Sequence, residues 1–139
     1  MKITLFHLLL IATVLSFIAH IGDDKVAGTG SVKTRKDLIS RVWRVQQVLV
    51  NNKVDQTGDF KNSHFEFSKD GKYTFTRKSG KVQGTWDLVP NEQMLILDKG
   101  TPDADAVEIL MLSENQLYLS LPEKSLKLGS SHSLFKLAL

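Results

Sequence analysis

The sequence contains no cysteine, which excludes disulfides, thiolate zinc sites, a cysteine nucleophile and a lipid carried on an N-terminal cysteine. The absence does not fix the compartment, because an exported domain whose sheet closes over a sufficient core holds together without disulfides. Histidine is scarce: beyond the first 22 residues there are only His64 and His132, so there are few ways to build a nucleophile and base pair. No phosphate loop, dinucleotide fingerprint or Gly-x-Ser-x-Gly elbow occurs. From Val42 onward, no stretch carries apolar residues at the three-or-four spacing of an amphipathic helix. Charge of one sign is also missing. The formal net charge is +3, and setting Lys2 aside with the N-terminal segment leaves 3 − 1 = +2, with acids and bases interspersed. Lys69, Lys72, Lys78 and Lys81 gather at turns between apolar strands, where they read as solvated gatekeepers, so nucleic acid is not an expected partner.

Charged residues make up 24% and hydrophobic ones 42% of the chain, ordinary globular usage that implies one folded domain of about a hundred residues. Residues 1–22 stand apart. Met1-Lys2 precedes an apolar run from Ile3 to Ile21, as in an export signal. No clean small-x-small pair marks a cleavage site. Nineteen residues at about 1.5 Å each would also just cross a hydrocarbon core, so an uncleaved anchor is the alternative. Either form keeps Lys2 inside and carries the domain across, which makes the protein periplasmic, envelope-bound or secreted and touches the membrane only through this segment. Residues 23–37 contain two glycines and no apolar periodicity and read as a flexible linker. Asp37 to Arg41 reads as a single helical turn, with Leu38 and Ile39 as a lid on the domain spanning 38–139.

Within that domain, apolar runs alternate with turn signals at short, regular spacing, which predicts strands over Val42–Val50, Ser63–Ser68, Lys72–Arg77, Lys81–Leu88, Met94–Asp98, Ala106–Leu112, Leu117–Leu121 and His132–Ala138. Asp70-Gly71 and Ser79-Gly80 supply the positive φ of tight hairpins. Eight sequentially paired strands leave two unpaired edges, and joining first to last removes both. The expected fold is therefore an all-β, eight-stranded antiparallel up-and-down barrel. Alternation points Phe65, Phe67, Tyr73 and Phe75 inward, together with Val82, Gly84, Trp86 and Leu88, with Val107, Ile109 and Met111, and with Leu117, Leu119, Leu121, Phe135 and Leu137. Trp43 and Val45 fill the first strand, whose phase slips near Gln46-Gln47, as a β-bulge would produce.

Trp43 near the start of the first strand, Phe65-x-Phe67, the hairpin from Asp70 to Phe75 and Gly84-Thr85-Trp86 together resemble the lipocalin-like domains of bacterial exported proteins, from about Leu38 to Leu137. The Gly-x-Trp element lies on the fourth strand, not the first as in vertebrate lipocalins, so no ligand-binding residues carry over from those transporters.

The resemblance and the inward aromatic stripe give the first functional expectation: binding of a small apolar or amphipathic ligand inside the barrel, against Trp43, Phe65, Phe67, Tyr73, Phe75 and Trp86. The alternative is a packed core serving a structural or protein-interaction module of the envelope, since eight strands enclose little more than their own side chains. No enzyme, metal or cofactor is expected. His64 and Glu66 share an outward face, the wrong arrangement for a buried base, and His64, His132, Glu66 and Asp70 lack the spacing of a ligand set. Asp103 and Asp105 read as part of a solvated loop, because a calcium loop would need further alternating acids and a closing glutamate.

Overall fold

The β-branched, aromatic and aliphatic residues of the body recur every second position, so each run has one apolar face to bury and becomes a strand. The computed structural model describes residues 31–125, 128 and 131–139; the expected leader and the start of the linker lie outside them. A short helix α1 (Arg35–Ile39) is followed by β1 (Val42–Val50), β2 (Lys53–Val54), β3 (His64–Phe67), β4 (Lys72–Arg77), β5 (Gly80–Leu88), β6 (Met94–Leu97), β7 (Asp105–Leu112), β8 (Gln116–Leu121) and β9 (Ser133–Ala138). Every strand pairs antiparallel with its neighbour in the order β2-β1-β3-β4-β5-β6-β7-β8-β9, and β1 also pairs with β9. Eight strands thus close an antiparallel barrel. β2, which the sequence did not reveal, is a two-residue addition turned back onto β1 by Asn51 and Asn52, both at positive φ.

The closing seam runs from Arg44 opposite Ala138 to Val50 opposite Ser133, with its register shifted between Val45 and Gln47. This is the expected bulge. It moves the inward phase from Trp43 to Val48. A second shift, between Ile109 and Met111 on β7, was not legible in the pattern and corrects one inward assignment: Met111 is 42% exposed, beside Leu110 at 51%. The extra residue turns both side chains outward.

Helix α1 closes one end of the barrel. It spans Arg35–Ile39, not Asp37 to Arg41, and so takes in part of the expected linker. Its start is set by a capping box in which the Thr34 side chain accepts from the Asp37 N–H and the Asp37 carboxylate accepts from the Thr34 N–H. Five residues cannot hold a helix alone, and the barrel supplies the rest. Ile39 is fully buried and its carbonyl accepts from Trp43 Nε1 at 3.0 Å. Arg35 Nε donates to the Glu92 carbonyl and Arg41 Nη1 to that of Glu114, each at 2.8 Å, while Lys69 Nζ meets Asp37 at 2.8 Å. Three turns of the barrel are thereby fastened to α1 and the residues just after it.

Those contacts make this end acid-sensitive. Lys69, and then the Thr34 hydroxyl and N–H, hold the Asp37 carboxyl at a pKa of about 2, below its ordinary 3.8. A depressed carboxylate contributes stability above its unfolded pKa that is lost as pH falls through the folded one. The denaturation midpoint is therefore expected to drop between about pH 4 and pH 2. In Asp37→Asn that part of the drop should disappear, as read by urea unfolding at the two ends of the window.

At the opposite end the chain from 51 to 63 crosses as a strap. Phe60 packs edge-on to Phe135, with ring centres 5.3 Å apart, and stacks on Phe75. Asp59 grips the β4–β5 turn, accepting from the Ser79 N–H and hydroxyl at 3.1 Å each. Leu128, 3% exposed, adds to the core, and its N–H donates to Ser125 Oγ.

Candidate functional site

Tight pairing of β1, β3, β4 and β5 brings the six predicted interior residues onto one wall. Phe65 stands opposite Trp43 on one side and Phe75 on the other, and Phe67 stands opposite Tyr73. The Phe65 and Phe75 rings stack with centres 4.0 Å apart, Phe65 and Phe67 at 5.7 Å, and Trp86 meets Phe67 edge-on at 5.5 Å. All six are buried, from 0% exposure for Trp43 and Phe75 to 2% for Phe67, Tyr73 and Trp86. The phenylalanine, Tyr73 and Trp86 rings lie against one another, stacked, tilted or edge-on.

The interior is not purely apolar. Asp98, 5% exposed, follows β6 where that strand leaves β5, and its positive φ of 51° sends the side chain back over the sheet. Its carboxylate accepts from Tyr73 Oη at 3.2 Å and from the Thr85 N–H at 3.0 Å. Gly84 makes the room: a Cβ there would lie 2.0 Å from Asp98 Oδ1 and 2.8 Å from a Tyr73 ring carbon. Gly84-Thr85-Trp86 is thus a three-part device, with the glycine admitting the carboxylate, the Thr85 backbone binding it, and Trp86 donating Nε1 to the Ser68 carbonyl at 2.9 Å. Burial, and after it the negative charge of Asp98, raises the Tyr73 phenol pKa, so Tyr73 stays a protonated donor. Asp105 also departs from the solvated-loop reading: it opens β7, is 8% exposed and accepts from Ser125 Oγ at 2.6 Å.

The histidines do not converge. His64 pairs opposite Arg44 near the start of β1, whereas the His132 carbonyl accepts from Asn51 beyond the other end of that strand. Ser120 Oγ lies 3.1 Å from His132 Nε2 at an exposed position. No carboxylate is bonded to that ring among the described residues. The same residues contain no group of three or more His, Cys, Asp or Glu placed to hold a metal, and no helix among them is long and apolar enough to cross a membrane.

Crevices open elsewhere on the described chain. A crevice of about 390 Å³ separates β1 from the strap and is lined by Val45, Gln46, Val48, Phe60, Lys61 and Asn62, among others. A second, of about 370 Å³, continues from it along Arg44, Val45, Gln46, Asn62 and Ser63. A third, of about 300 Å³, follows the outer side of the β3–β4 hairpin from Glu66 to Thr74. Of the six predicted interior residues only Tyr73 borders any of these. The bulge at Gln46-Gln47 was the signal for the first two. Nothing in the sequence marked the strap as their other wall.

Comparison with family models found no match to this chain, and neither did comparison with curated proteins or with solved structures.

Proposed function

We propose that this protein is an exported, lipocalin-like barrel that acts as a non-enzymatic structural or protein-interaction module of the cell envelope, with its interior given over to packing. The observation that supports this reading is the filled aromatic wall. A ligand pocket is typically at least about 300 Å³, and opening one among Phe65, Phe67, Phe75 and Trp86 would separate rings already in contact. The outer surface adds support by its asymmetry. Over β3, β4 and β5 it presents Glu66, Thr74, Gln83 and Thr85, while over β7 it presents the exposed Leu110 and Met111. Exposed apolar area of that kind favours a partner protein. Export rests on Lys2 and the apolar run from Ile3 to Ile21.

The test is spectroscopic. Titration with a fluorescent fatty acid and with a polycyclic apolar dye, following tryptophan emission, is expected to give no saturable quenching, because Trp43 and Trp86 are enclosed by side chains. A saturable one-to-one response in folded protein would overturn the packed-interior reading and restore the internal ligand.

A further inference from the structure

The two connected crevices beside β1 share Val45, Gln46 and Asn62 and form one groove. It exists because β3 pairs with β1 only as far as Arg44, while β2 joins it only from Leu49. The gap is bordered by the bulged Gln46 on one side and the strap on the other. The strap is pinned at three places: Asp55 N–H to the Val48 carbonyl at 2.8 Å, Asp59 to Ser79, and Phe60 to Phe135. The groove is therefore built before any ligand arrives.

Arg44, Gln46, Gln47, Lys61 and Asn62 all line it, and none of these side chains bonds to another described residue. Three amides and two cations thus face a fixed groove with no internal task. Val45, Val48 and Phe60 add aliphatic and aromatic carbon to the lining. The one carboxylate on the lining, Asp55, already accepts from Thr57 Oγ1 at 2.9 Å, and the two cations outweigh it.

We propose that this groove binds a short acidic oligosaccharide. Sugar hydroxyls both donate and accept, as side-chain amides do, and the apolar faces of sugar rings suit a lining with aliphatic and aromatic carbon. Arg44 and Lys61 add charge-assisted bonds to a carboxylate or sulfate on the sugar. A peptide added as an extra strand fits less well, because the Val45 N–H is taken by the Ser63 carbonyl and the Val48 carbonyl by Asp55. None of the six aromatic residues of the wall lines this groove, so the proposal holds or fails independently of whether those rings leave room for a ligand and whether the β7 face meets a protein.

Calorimetric titration of the full chain with tri-galacturonate, a sulfated heparin tetrasaccharide and neutral maltotriose tests it. At least one acidic probe should bind one-to-one and at least about ten-fold tighter than maltotriose, a difference of about 1.4 kcal/mol. The double substitution Arg44→Gln, Lys61→Gln should remove that preference. Asn62 has a φ of 62°, a conformation open to glycine, so Asn62→Gly keeps the backbone while deleting an amide and should weaken the bound acidic probe several-fold. Circular dichroism confirms that each variant is folded. Absence of saturable binding to both acidic probes, equal affinity for maltotriose, or unchanged affinity in the folded variants would overturn the proposal.

Discussion

Gly84→Ala is expected to destabilise the protein by about 3 kcal/mol, although it adds a single methyl group. The added carbon would occupy the space of the Asp98 carboxylate and press on the Tyr73 ring. Overpacking a closed core costs roughly 1–3 kcal/mol, and displacing Asp98 would leave the buried Tyr73 hydroxyl short of a partner, at about 1–3 kcal/mol more. A double-mutant cycle separates this from a general intolerance of alanine at the position. Asp98→Ala alone should also destabilise, but the pair Gly84→Ala, Asp98→Ala should be more stable than the sum of the two losses predicts, by at least about 1 kcal/mol, because the clash then has no second party. Strict additivity in urea unfolding would show that Asp98 is not the reason for the glycine.

The second large effect is expected at Trp86. Its ring is 2% exposed, meets Phe67 edge-on and donates to the Ser68 carbonyl. Trp86→Ala removes that volume from a wall with no slack and should cost roughly 3–5 kcal/mol. Trp86→Phe keeps much of the ring but leaves the Ser68 carbonyl without its indole donor, and should cost visibly less. His64→Ala serves as the control on the same sheet: half-buried, with its side chain bonded to nothing described, it should fall within about 1 kcal/mol of wild type. If the histidine variant proved the more damaging in equilibrium unfolding, the inward and outward faces of β3 would be wrongly assigned.

Much of this fold was legible because period-two alternation survives in most of the barrel strands. Phe65, Phe67, Tyr73 and Phe75 stand where alternation puts them, and Gly71 and Gly80 mark their turns with positive φ. The failures share a cause, which is that a single inserted residue reverses the faces downstream of it. At Gln46 the insertion showed as a break between Trp43 and Val48. On β7 the run Ile109-Leu110-Met111-Leu112 is apolar throughout, so no break is visible and Met111 was misplaced. Asp98 and Asp105 were missed for a different reason. A carboxylate at the end of a strand looks the same in sequence whether it meets water or a buried hydroxyl, and only Gly84 hinted that something must approach the wall closely. The groove beside β1 was harder still, since one of its sides is a strap with no periodic pattern.

Closure of the barrel through β1 and β9 also shapes how the protein must fold. Arg44 and Ala138 are partners in one seam yet lie far apart along the chain, and β3 to β8 can pair as successive local hairpins while β1 waits for β9. The final step is thus the one with the greatest loop-closure entropy, and folding should be slow for a chain of this size. Until that step the partially assembled sheet has two bare edges and an unsealed apolar face, the species most prone to aggregate. A chaperone that shields the β1 edge would act on this intermediate and not on the finished barrel.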